Sequence, residues 1–92
     1  MPLDQQAPSL RLFVAADSPS SRDARRNLDA ALAKLGLPAD CLVLVDVFDH
    51  PEIALDAGVI VTPTLEIVRG RQRQLVAGRL SSEHDLQSRL LG

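Results

Sequence analysis

The sequence predicts an α/β domain in which one four-stranded mixed sheet carries flanking helices, in the order βαβ, short helix, ββα. Three observations carry that expectation. Two nearly continuous apolar runs, residues 10–16 (LRLFVAA) and 41–48 (CLVLVDVF), enclose a segment whose apolar residues recur at helical spacing. A strand, an amphipathic helix and a second strand in that order make a parallel pair with a right-handed crossover. Beyond them, β-branched residues at 59–68 and a shorter run at 73–77 flank a polar turn centred on Gly70, the pattern of an antiparallel hairpin in which 64–68 pairs with 73–77.

The first strand, 10–16, has a single charge, as expected where both faces are mostly buried. In the helix that follows, Ala24, Leu28, Ala31, Leu32 and Leu35 form one stripe. Asp17 or Ser18 supplies its N-cap, Pro19 its first position and Gly36 its stop. In the second apolar run Asp46 is an interruption, and an unpaired buried carboxylate is costly. It should therefore sit near a strand end, a helix terminus or a cation. A capping Asp49 or His50, then Pro51, then Gly58, bound a helix of about two turns.

The last helix is expected over 82–90, with Leu86 and Leu90 on one side and Ser82 with Asp85 as a capping box. Covering the first two strands on both faces leads to the thioredoxin-like plan. Residues 10–92 form its single domain, and the polar residues 1–9, with two prolines, read as a flexible tail.

The composition narrows the function. With 2% aromatic residues, namely Phe13 and Phe48, the chain has few rings on which to stack bases. Its net charge of −2 gives no global field for a phosphate backbone, so nucleic acid is not an expected partner. The lone Cys41 excludes an internal disulfide, and the N-terminal residues lack the basic and apolar regions of a signal peptide. No apolar run approaches the length of a membrane span. The expected compartment is the cytoplasm, with no membrane contact.

Four stretches in order resemble one family: LRLFVAADSPSSRDARRNL (10–28), LVLVDVFDHPEIA (42–54), VTPTL (61–65) and GRLS (78–81). They are similar to KaiB of the cyanobacterial circadian clock, to KaiB-like proteins of other bacteria and to the KaiB-like sensor domain of the clock histidine kinase SasA. The resemblance implies a non-enzymatic partner of a KaiC-type ATPase or a histidine kinase, with no cofactor.

It also implies a family capable of fold switching, in which a self-associating ground state has a remodelled C-terminal half. This chain departs from the family pattern in two places. Residues 66–74 (EIVRGRQRQ) contain no proline where relatives are usually proline-rich, and Arg79 stands where an acidic residue usually follows the glycine. Both departures weigh against the ground-state arrangement, because proline would hinder the hairpin that a Gly-centred turn favours.

Several residues are candidates for chemistry or binding. A thioredoxin-like redox site needs a low-pKa thiol at the first strand-helix junction, where this chain has Ser18, Pro19, Ser20 and Ser21. The alternative function is a thioredoxin-like transferase using a serine near Ser18, against a plain capping role. Cys41, at a strand entry, reads as a small hydrophobe. His50 and His84 have no neighbouring ligand pattern, so neither a metal nor a catalytic residue is assigned. By the thioredoxin-like resemblance Pro63 is the candidate for a structural cis-proline. Arg22, Arg25 and Arg26 on the first helix, with Arg69, Arg71 and Arg73 around the hairpin turn, are the candidate partner interface. A second copy of the chain is the remaining alternative partner.

Overall fold

In the computed structural model, which describes residues 8–92, the chain runs β1 (Ser9–Val14), α1 (Pro19–Leu35), β2 (Leu42–Asp46), α2 (Pro51–Ala57), β3 (Thr64–Arg69), β4 (Gln72–Ala77) and α3 (Glu83–Leu91). A turn of 3₁₀ helix, Ala39–Cys41, leads into β2. Of the segment 1–9 read as a tail, residues 1–7 lie outside the described residues, Pro8 is buried and Ser9 opens β1.

The sheet order is β2-β1-β3-β4, with β1 parallel to β2 and antiparallel to β3, and β3 antiparallel to β4. This is the expected thioredoxin-like architecture, and its second half is a hairpin and a helix, not the remodelled ground-state form. The hairpin pairs Thr64 with Ala77 through to Arg69 with Gln72, closing at Gly70 with φ of 61°.

Helix α1 starts where its sequence dictates. Ser18 holds an extended backbone and its hydroxyl accepts the Ser21 N–H, Pro19 takes the first position, and Gly36 ends the helix at φ 70°. Ser82 caps α3 by accepting the Asp85 N–H at 3.4 Å. The reciprocal half of the capping box is not made, since the Asp85 carboxylate pairs with Arg89 at 2.9 Å instead.

Alternation along the strands sorts the core into two groups. On one face Leu10, Leu12, Leu65 and Ile67 meet Ala24, Leu28, Ala31 and Leu32 of α1 and Leu86 and Leu90 of α3. On the other face Phe13 and Val45 meet Ala54 and Ala57 of α2.

Two expectations need correction. Strand β2 is not buried on both sides: it is a sheet edge, and Val43 and Leu44 are exposed. Residues 59–63 are not strand, since β3 begins at Thr64. Asp46, as its cost requires, sits at the end of β2 and its Oδ1 accepts the Phe48 N–H at 2.9 Å.

The link from β4 to α3 is unusually constrained. Leu80 is buried in the larger core group yet has φ of 59°, a left-handed conformation that costs a non-glycine residue roughly 1–2 kcal/mol. Its neighbours are tied down: Asn27 Nδ2 donates to the Arg79 carbonyl at 2.9 Å, and the Gly78 N–H donates to the Pro63 carbonyl at 2.9 Å.

Candidate protein-interaction surface

The junction after β1 is where a redox enzyme of this fold would hold thiols. Here the Ser18 hydroxyl accepts the Ser21 N–H and donates to Ser21 Oγ at 2.8 Å, while buried Ser21 Oγ also accepts the Ala15 N–H at 3.2 Å. Both hydroxyls are thus engaged in closing the helix start. Among the described residues neither donates to an imidazole or carboxylate, the contact by which a serine nucleophile is activated.

The first arginine cluster is threaded with carboxylates. Arg22 pairs with Asp17 at 3.1 Å, Arg25 with Asp29 at 3.1 Å and Arg26 with half-buried Asp23 at 2.6 Å, the arginines themselves being exposed. Such pairs are worth about 0–1 kcal/mol each, so they leave the arginines available to a partner. With Val14 and Leu44 they line an open groove of about 370 Å³ between α1 and the β2 edge.

The second cluster is dispersed by strand geometry. The Arg69 guanidinium donates to the Leu90 carbonyl at the end of α3. Arg73 projects from the opposite face, donating to Glu66 at 2.7 Å and to the Ala57 carbonyl of α2. Arg71 lies at the exposed turn. Pro63 is buried and its bond to Thr62 is cis.

Sequence reasoning missed what Arg73 does. Glu66 is only 2% exposed, and Arg11 grips it with two bonds of 2.5 and 3.0 Å while Arg73 takes the same carboxylate from the other side. The Arg11 guanidinium also stands 5.2 Å from the Phe13 ring centre, within cation–π range. The Arg11 hydrogen bonds lower the Glu66 pKa from the usual carboxylate range, burial opposes them, and Arg73 adds to the lowering. A signal existed in the sequence: one acid in an apolar strand, opposite an arginine in β1 once the register is known.

Sequence reasoning also missed the link between β2 and β3. Among the described residues the three most exposed large apolar side chains are Ile60 at 94%, Leu55 at 79% and Phe48 at 72%, and Val61 beside them is exposed as well. The available signal was Leu55 on the outward side of α2 between Glu52 and Asp56, away from Ala54 and Ala57.

Cys41 donates its thiol to the Pro38 carbonyl at 2.9 Å, and burial, then Asp40, pushes its pKa up, away from reactivity. Among the described residues no group of three or more His, Cys, Asp or Glu is placed to hold a metal ion, and no helix is long and apolar enough to cross a membrane.

Comparison with known proteins agrees with this geometry. Mitochondrial thioredoxin 3 of Saccharomyces cerevisiae in its oxidised form superposes with a TM-score of 0.74 at 18% identity, over 96% of this chain and 80% of that one. Thioredoxin of Fasciola hepatica gives 0.72 at 16% identity, over 95% and 84%. Identities this low carry the fold alone.

The N-terminal domain of Synechococcus elongatus SasA gives a TM-score of 0.71 at 26% identity, over 92% of this chain and 80% of that one. No curated protein matches. A family model described as the KaiB domain matches residues 11–91. That match takes in every helix, all of β2, β3 and β4 and most of β1, and the chain therefore belongs to the KaiB family, as a clock-related protein-interaction module.

Proposed function

We propose that this chain is a non-enzymatic cytoplasmic adaptor that binds a KaiC-type ATPase or a histidine kinase. The observation that supports this reading most is the KaiB-domain match over residues 11–91, on a fold whose thiol position is filled by two mutually bonded capping serines. Of the arginines read as an interface, Arg22, Arg25 and Arg26 along the groove and Arg71 at the hairpin tip serve partner contact. Arg69 and Arg73 serve the fold, through their bonds to Leu90 and to Glu66 and Ala57.

The test is capture of partners on the tagged protein, identification by mass spectrometry, and binding to the purified partner. Recovery and direct binding of a KaiC-type ATPase or a histidine kinase is the expected result. Reduction of insulin disulfides or conjugation of glutathione, abolished by Ser18→Ala, would instead establish the transferase. Light scattering that shows only self-association, with neither protein bound, would favour a second copy as the partner. Reversing Arg22, Arg25 and Arg26 to Glu is expected to slow association and change its salt dependence.

A further inference from the structure

The link between β2 and β3 combines two properties not found together elsewhere on the described surface. It carries the apolar side chains most open to solvent, Phe48, Leu55 and Ile60. It also lies within a stretch, residues 41–68, that contains no lysine or arginine, while Asp49, Glu52 and Asp56 around those side chains are exposed. Asp46 is spent on the Phe48 N–H, and His50 stands 3.8 Å from Glu52. Beneath the helix, among the described residues, the cations are Arg11 and Arg73, which hold Glu66 and, for Arg73, the Ala57 carbonyl.

These apolar groups are presented by an anchored support. Ala54 and Ala57 pack on Phe13 and Val45, Ile53 and Val59 add to that contact, and the Val59 N–H bonds the Ala54 carbonyl at 2.9 Å. Leu55 therefore stands out because α2 fixes its other side to the sheet. Large rigid apolar side chains are the kind that fill partner pockets at the centre of interfaces, and a charged rim governs encounter and choice of partner.

We infer that residues 48–61 form a docking surface for an apolar protein patch rimmed by lysine or arginine. Negative charge at Asp49, Glu52 and Asp56 disfavours phosphate backbones and anionic lipid, and selects a cationic protein surface. The inference rests on the adaptor reading and gives the partner's chemistry at one site.

The experiment titrates the isotopically labelled full chain with two synthetic amphipathic helices, one with leucine opposite lysine, the other with leucine opposite glutamate. Amide shifts should concentrate in residues 48–61 with the lysine helix, and the glutamate helix should bind about tenfold or more weakly. The Leu55→Ala/Ile60→Ala pair should weaken the lysine helix by about tenfold, and Glu52→Lys/Asp56→Lys should reverse the preference. Equal binding of both helices, no binding of the lysine helix, or a footprint elsewhere would overturn the assignment. The same footprint is then taken with the purified ATPase or kinase. A partner that binds with its footprint elsewhere removes this surface and keeps the adaptor, whereas a lysine-helix footprint at 48–61 with neither protein bound keeps the surface and removes that partner reading.

Discussion

The two faces of the sheet meet the same demand in opposite ways. Under α1 and α3 the sheet buries leucine and isoleucine against leucine and alanine, in an apolar cluster that contains no charged side chain. Under α2 the cover is one short helix, too small to dry out the whole face. There a carboxylate sits among the strands, balanced sideways by arginines on the two neighbouring strands. Long helices allow a face to be stabilised by area, while a short one leaves lateral ionic contacts to complete the layer. The uncovered side of that short helix then remains available for contact.

If that contrast holds, the largest effect belongs to the aliphatic face. Leu28→Ala removes a fully buried side chain, and the expected loss is about 2–5 kcal/mol, read as a fall in the urea midpoint. Val45→Ala on the α2 side should cost clearly less, and equal losses would break the comparison.

Next comes the charged layer. Glu66→Ala leaves two guanidinium groups without their shared acceptor. Because those side chains are themselves 38% and 43% exposed, water offsets part of the penalty and the expected loss is about 1–3 kcal/mol. The pH dependence has a definite sign. Glu66 binds its proton less readily in the folded chain, so its contribution is present above the ordinary carboxylate pKa of about 4.3 and is lost as pH falls through the lower folded value. Glu66→Gln should flatten that acid limb in a thermal-melt series, and an unchanged limb would assign acid sensitivity to other groups.

How much of this was legible in the sequence follows from what each feature depends on. Helix α1 was readable in full because cap, stripe and stop are all local to residues 18–36. The hairpin register was readable because Gly70 fixes the turn and the period of two does the rest. Strand β2 was misread as buried because an apolar run looks the same at an edge and at a centre, and only strand order decides. Arg69, Arg71 and Arg73 looked like one patch because the turn hides parity: Arg69 and Arg73 point to opposite faces. The Glu66 layer required the β1 to β3 register, which no local pattern contains.

Smaller effects sharpen the picture at the junctions. Ser18→Ala removes a helix cap and should cost about 1 kcal/mol in the melt, with no change of fold by circular dichroism. At the far end of the scale, Leu55→Ala should change stability by less than about 0.5 kcal/mol, since its side chain is already in water. A larger loss would show that the outer side of α2 helps hold the sheet, and would erase the division between its two sides.

The left-handed Leu80 adds a consequence in time. Its backbone is held in a costly conformation only while its side chain stays inside the core, between the anchored Gly78 and the cap of α3. Once that side chain withdraws, the strain of the left-handed backbone is released in the same step, and the Asn27 bond to the Arg79 carbonyl and the Gly78 bond to the Pro63 carbonyl are what still hold the turn. The expected consequence is cooperative opening of this join, with α3 exchanging its amide protons with solvent as one group, and exchange rates graded residue by residue along α3 would show that Leu80 does not hold it as a unit.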